Sequence, residues 1–397
     1  QTDCNISDTV QIMSGDIQRK AHDEANAALV QRLCELSGPV IDWLCVRHHL
    51  NLTLVEGFLY PGHSVPRMHA PPSRAGADLM ADLSRAVAVA DIPVMTQAHV
   101  TDLYADTHGG VTGTRIERPD GGVEYIGCEV LILACNGFGG NADMVQTHIP
   151  DMADALYFGH QGNQGDAIVW GQALGAETRH LGSYQGHGSV AQPHGILISW
   201  ALMMQGGLQI NCDGKRFSNE HQGYSEQARR VIAQPGGTVW NLFDARLLHL
   251  GRGFEDFRQA EALGAIQTAH TIAELAKLIS VPGAHLAETL AQVARYASGT
   301  DQDVFGRDFT QTPILEPPYY ALKVTGALFH TQGGLAIDGD ARVLRRDGTA
   351  LPNLLAGGGA ACGVSGSQDW GYLSGNGLLT AATLGYCAGV TAAGLLG

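Results

Sequence analysis

The sequence predicts an α/β protein of two domains, a sheet domain of the nucleotide-binding type interrupted by an inserted α+β domain. Three observations predict this. Short apolar strands at 130–134 and 353–356 run straight into glycine-rich turns. A buried strand ending in such a turn is where an α/β sheet binds its ligand. The stretch 183–325 differs in texture, with polar turns, prolines and a helical run near 284–297. The chain has 397 residues, beyond the size at which one hydrophobic core keeps growing. The expected division is 1–182 for the first part of the sheet domain, 183–325 for the insert and 326–397 for the second part.

The elements follow in order. Apolar residues recur at helical spacing through 15–50 (Ala28, Leu29, Leu33, Leu36, then Val40, Ile41, Leu44), with Pro39 as a break or a first-turn position between two helices. Residues 55–75 hold Gly62, Pro66, Pro71 and Pro72 and read as a loop; 73–90 read as helix. Val94–Val100 and Gly113–Arg118 read as strands, the second turning at Asp120-Gly121-Gly122 into Val123–Ile126. Val130–Ala134 lacks polar alternation and reads as a strand covered on both faces. The sheet pattern returns at Gly333–Asp338 and Asn353–Ala356, and a final helix is expected from about Leu378 to Leu396.

Composition limits the function classes. The net charge of −15 disfavours a nucleic-acid partner, whose phosphates need Lys and Arg, and an anionic membrane surface. The eight Cys (4, 34, 45, 128, 135, 212, 362, 387) form no CxxC pair, so a zinc or dithiol site has no support. Cys128 and Cys387 read as buried small side chains. A reducing cytoplasm is expected. No signal peptide is read, and no apolar run long enough to cross a bilayer, because Gly and Thr interrupt the C-terminal tail.

Three glycine-rich turns follow short strands or open a helix: Ala134–Gly140, Ala356–Gly359 and Ser374–Gly377. Glycines there let backbone N–H groups approach a phosphate or a flat ring. One such turn would merely connect elements; three favour a nucleotide-type cofactor. His330 and His187 sit at the two crossings between sheet domain and insert, and active sites favour domain interfaces. His180, His187 and His194 repeat every seven residues, but Gly182, Gly186, Gly188 and Pro193 rule out a helix, so no metal site is expected.

These residues resemble the flavoprotein family of fumarate reductase and succinate dehydrogenase, which also includes ketosteroid and tricarballylate dehydrogenases. The resemblance covers nearly the whole chain. It rests on Gly62–Arg67, Ala134–Asn141, Gly165–Ala176, Gly214–Glu220, Ala327–Ile337 and Asn353–Gly389. It implies a Rossmann-like FAD-binding domain with an inserted α+β cap, substrate lying between the two. It implies FAD contacts from Val100, Ala134, Asn136, Gly137, Asp166, Gly358, Ser374, Asn376 and Leu378. The family opens with a strand, a G-x-G-x-x-G turn and a helix. That βαβ unit is missing here, where the first glycine is Gly15, and missing N-terminal sequence is the favoured reading because the later turns are present.

Two departures bear on substrate. Tyr224 stands where the family's dicarboxylate reductases carry a proton-donating arginine. Ser367–Tyr372 replaces the segment with a carboxylate-binding arginine, and an arginine fork is the natural carboxylate clamp. Fumarate and succinate are therefore not expected substrates. Tyr372 resembles the ketosteroid dehydrogenase arrangement, in which a tyrosine donates to a substrate carbonyl. The expected activity is desaturation or reduction of a C–C bond next to a carbonyl. Tyr224 would be the acid/base, Tyr372 the carbonyl donor, and His330 and His187 substrate-orienting donors. A tyrosine base at neutral pH needs a depressed pKa or a proton relay. The partners expected are a carbonyl-containing small molecule and an electron acceptor that the residues do not identify. Two rivals remain: a relative that has lost catalysis and serves as a binding or scaffold protein, and a metal-dependent hydrolase built on the 17 His. Arg67, His69 and Arg74 are read as structural.

Overall fold

The computed structural model describes residues 6–56 and 59–397. Cys4, and residues 57–58 of the expected 55–75 loop, lie outside the described residues. Two N-terminal helices, α1 (Val10–Lys20) and α2 (Ala27–Asp42), start at side-chain caps from Thr9 and Asn26, the residue types that satisfy orphan helix N–H groups. The break expected at Pro39 does not occur. The proline sits inside α2, which ends a few residues later in the π turn Trp43–Arg47. Proline removes one ladder bond, and a helix end absorbs that loss more cheaply than a helix centre. Thr53–Leu54 pairs with His69–Ala70, so the expected loop carries a short ladder.

After α3 (Gly76–Val89) comes an antiparallel meander of β1 (His99–Ala105), β2 (Val111–Glu117) and β3 (Val123–Gly127). The strand expected at 94–100 begins only at His99. Val94 and Met95 are 72% and 51% exposed, and no strand pairs with them among the described residues. β4 (Leu131–Leu133) runs parallel to β13 (Ala350–Ala356), which also pairs antiparallel with β12 (Arg342–Leu344). β4 is the edge of this sheet. Ile132 is 39% exposed, which corrects the expectation that both faces are covered. Cys387 is buried, whereas Cys128 is only half-buried.

The cap is organised on a seven-stranded sheet. β11 (Tyr319–Thr331) lies at its centre between β6 (Tyr184–Ala191) and β9 (Thr238–Asp244). β7 (Ile196–Leu197) and β8 (Leu208–Ile210) lie outside these, while β5 (Leu156–Tyr157) and β10 (Ile266–Ala269) also pair with β11. β11 runs through 325/326 without a break, so the same strand serves both sides of the expected boundary. α5 (Tyr224–Ile232) packs on β6, with the Gly186 amide donating to Ser225 Oγ at 2.9 Å. The cap core gathers Trp200, Leu242, Phe243, Phe257 and Leu322; a second core, under the parallel strands, gathers Ile17, Leu33, Leu335, Leu354 and Leu384. The last helix, α6 (Asn376–Leu396), runs unbroken through its glycines and threonines. By length and composition it is long and apolar enough to cross a membrane, which corrects the expectation that the tail is interrupted. In this fold Thr380, Thr383, Leu384, Cys387 and Ala388 are buried.

Asp16 ties this half together. Its carboxylate accepts from the Ser64 amide (2.8 Å), Ser64 Oγ (2.5 Å), Arg67 Nη1 (2.6 Å) and Arg19. Burial opposes the charge, but these donors hold its pKa down at about 2. Arg67 also bonds Asp8, so its role is structural. Asp8 still pairs Arg67 when Asp16 is neutralised, so Asp16→Asn loses charge-assisted hydrogen bonds rather than stranding a charge, and is expected to cost about 1.5–3 kcal/mol of stability in urea unfolding.

Candidate active site

Four of the elements converge on one aromatic cluster. α5 presents Tyr224 in its first turn, β6 presents His187, β11 presents Phe329 and His330, and the turn before α6 presents Tyr372. His187 stacks on Tyr224 (ring centroids 4.8 Å) and on Phe329 (5.4 Å), with Trp200 edge-on at 5.7 Å. Tyr224 and Tyr372 lie 6.1 Å apart, and His330 stands edge-on to Tyr372, also at 6.1 Å. All four residues expected to be catalytic therefore meet at one place. Tyr60 joins them, its ring 6.4 Å from that of Tyr224. Sequence reasoning missed it, because a tyrosine in a Pro- and Gly-rich loop carries no local sign of burial.

Electrostatics revises the roles. Burial pushes the Tyr224 phenol well above its usual range, the nearby Tyr372 adds to this, and the Ser374 hydroxyl opposes it. Burial thus favours the protonated phenol over a resting tyrosinate at Tyr224. Burial also pushes Tyr372 up to about 12, opposed by the backbone amides of Gly377 and Gly375 and by Tyr224. Those amides belong to the start of α6, where helix N–H groups favour negative charge. The His187 Nδ1 accepts from the Ser189 amide at 3.1 Å, which leaves the ring proton on Nε2 as a donor. His330 differs. Its Nδ1 lies 2.9 Å from the Thr331 carbonyl and its Nε2 2.9 Å from Gln332 Nε2. With both ring nitrogens engaged, His330 lacks a free donor for substrate. The bonds run on from Gln332 Oε1 to Ser365 Oγ (2.9 Å) and from there to Asn376 Nδ2 (3.3 Å).

Burial holds His187 down at about 3, and His63 and His221 at about 4. A histidine whose folded pKa is depressed stays neutral in the fold while the unfolded chain takes up protons. Stability is full above the unfolded value near 6.5 and declines as pH falls towards 4. Each such histidine is expected to cost on the order of 3 kcal/mol by then. A melting series from pH 7.5 to 4.5 should show Tm falling steadily, and His221→Gln should flatten the slope.

The residues expected to contact the cofactor fall along one path. Gly137 closes on α4 (Asp166–Ala173): the Gly165 amide donates to the Gly137 carbonyl at 3.0 Å, and Asp166 opens the helix. Trp170 of α4 donates to the Thr101 carbonyl at 3.3 Å, which brings the strand bearing Val100 to the same side. The Gly357 amide donates to the Leu133 carbonyl at 3.0 Å, so the turns after β4 and β13 abut, the first carrying Ala134 and the second Gly358. A Cβ placed at Gly137 would lie 1.9 Å from Thr331 Oγ1, and one at Gly359 would lie 2.0 Å from Asn136 Oδ1. Only glycine permits this approach. Ser374 offers its carbonyl to His63 Nε2 at 3.0 Å. Asn376 opens α6, and Leu378 beside it is 67% exposed. Two helix N-termini and glycine backbones suit an anionic dinucleotide. Among the described residues no cluster of His, Cys, Asp and Glu forms a metal site.

A family model described as an FAD binding domain matches residues 6–378. The chain belongs to this FAD-binding family. Its cofactor is FAD, and the glycine-lined turns at 134–140, 356–359 and 374–377 fit that group. Among similar proteins, the probable fumarate reductase Ifc3 of Shewanella frigidimarina is 27% identical over 395 residues, covering 99% of this chain and 66% of the relative. The 4-oxocyclohexanecarboxylate 2-dehydrogenase of Sinomonas cyclohexanicum is 30% identical over 326 residues, covering 73% of this chain and 55% of the relative. The chain thus spans two thirds or less of the length of these curated relatives. The open conformation of a flavocytochrome c3 fumarate reductase superposes with a TM-score of 0.80 at 27% identity, covering 100% of this chain and 69% of that one. A 3-ketosteroid-Δ4-(5α)-dehydrogenase from Rhodococcus jostii shares the fold, with a TM-score of 0.73 at 20% identity, over 98% of this chain and 84% of that one.

Proposed function

We propose that this FAD-binding chain belongs to an oxidoreductase that desaturates or reduces a C–C bond next to the carbonyl of an uncharged ketone. The observation that carries this reading is the Tyr224–Tyr372 pair. Two phenols meet with ring centroids 6.1 Å apart, while Arg229 of the same helix is spent on Asp369. A dicarboxylate substrate would call for cations here; a ketone calls for neutral donors.

FAD, when bound, supplies the two-electron acceptor or donor for the β carbon. The protein handles the proton and the oxygen. Tyr372, beside the amides at the start of α6, donates to the carbonyl oxygen as negative charge gathers there. In the reducing direction Tyr224 gives its phenolic proton to the α carbon; in the desaturating direction it takes the α proton as its own passes to Ser374 Oγ or Tyr60 and on to solvent. His187 Nε2 is the second donor at the cluster, and His330 holds the turn beneath it through Gln332.

The test is anaerobic addition of a saturated cyclic ketone, and separately of succinate, to the flavin-loaded full-length protein. Bleaching of the flavin bands by the ketone alone supports the reading. Bleaching by succinate overturns the substrate class, and a flavin that neither compound bleaches favours the non-catalytic binding role.

A further inference from the structure

The two phenols sit on segments that a half-exposed ion pair joins. α5 begins with Tyr224, and one turn further on it carries Arg229. Arg229 Nε donates to Asp369 Oδ2 at 2.5 Å. Asp369 starts the short 3-10 turn Asp369–Gly371, and Tyr372 follows directly. A second pair reinforces the link: Lys20, the last residue of α1, bonds Glu226 of α5 and donates to the Gln222 carbonyl at 3.0 Å. α5 is also fixed to the cap sheet, through Ser225 to Gly186 and through Gln227 Nε2 to Gln209 Oε1 at 2.8 Å. The helix is thus clamped between the cap sheet and the segment bearing Tyr372.

We propose that Arg229 is a positioning residue, which acts through Asp369 to hold the Tyr224 phenol at its working distance from Tyr372. The inference rests on the proton chemistry assigned above to these two tyrosines. The Asp369 side chain is 6% exposed, so it needs a cation. Arg229 is 42% exposed, so its removal opens no core, but it leaves the Asp369 carboxylate without its close partner and lowers stability to that extent. Its second carboxylate neighbour, Asp151, lies farther off at 3.7 Å and is itself 68% exposed. Among the described residues, the buried Tyr184 hydroxyl and Glu226 Oε2 have no hydrogen-bond partner. This seam therefore has unsatisfied atoms that would draw in water once the pair opened.

The test uses flavin-loaded full-length protein with Arg229→Ala and Arg229→Lys. Amide exchange over 224–232 is expected to speed up several-fold in Arg229→Ala. kcat should fall by about tenfold to a hundredfold, the range for a misplaced reacting group, with KM and flavin affinity close to wild type when measured well below the lowered Tm. Arg229→Lys should recover most of both losses. Unchanged exchange at α5 overturns the proposal, and so does faster exchange with undiminished kcat. The exchange readout needs no substrate, so it separates failure of this inference from failure of the proposed reaction. Absence of ketone turnover by the wild type would mark the latter.

Discussion

Tyr372→Phe is expected to lower kcat on a ketone by about a hundredfold to a thousandfold, the loss seen when one donor to a developing oxyanion is removed. The ring keeps its place against Tyr224 and His330, so folding and flavin content should be unchanged. Tyr224→Phe should cost about a hundredfold to ten-thousandfold, the worth of a positioned proton carrier. The two losses separate by isotope effect. With Tyr224→Phe, deuterium at the substrate α carbon should slow turnover further, because proton transfer limits it. With Tyr372→Phe, both carbons should become isotopically sensitive. Stopped-flow bleaching of the flavin measures each, and a Tyr372→Phe enzyme with wild-type kcat would remove Tyr372 from the mechanism.

Gly371→Ala is the second large effect, and it moves Tyr372 without altering it. A Cβ at Gly371 would lie 1.8 Å from the Ser365 carbonyl oxygen and 2.6 Å from its carbon. These are backbone atoms, which cannot rotate aside, so the 369–372 turn must shift. Overpacking of this kind costs about 1–3 kcal/mol, and Ser365 lies on the bond path from His330 through Gln332 to Asn376. The expected result is a lower Tm together with a loss of kcat approaching that of Tyr372→Phe. An enzyme that melts earlier but turns over normally would show that the turn does not set the phenol's position.

Much of this was legible in the sequence, for identifiable reasons. The β2–β3 hairpin was readable because Asp120-Gly121-Gly122 is a local turn signal. The glycine turns were readable because a close backbone approach leaves a mark at one residue, as at Gly137 and Gly359. His187 and His330 came from their places at the domain crossings, Tyr224 and Tyr372 from the family resemblance, and the four meet in one cluster. What was not legible depends on distant atoms. Val94 and Met95 have strand-like side chains but no partner strand. The Leu131–Leu133 strand looks two-sided in sequence, yet lies at a sheet edge. Tyr60 is identified only by its contact with Tyr224. The roles of Tyr224 and His330 shifted because burial, and bonds to Thr331 and Gln332, are properties of the folded chain.

Trp200 gives the fold an optical handle. Its indole is 1% exposed, its Nε1 donates to the Glu220 carbonyl at 3.0 Å, and it lies edge-on to His187. An indole in so dry a setting emits at the blue end of its range. Tryptophan emission overlaps the near-ultraviolet absorption of an oxidised flavin, and Trp200 lies against His187 of the aromatic cluster, so flavin binding is expected to quench it. The blue edge of the emission spectrum can therefore follow cofactor loading without any attached dye.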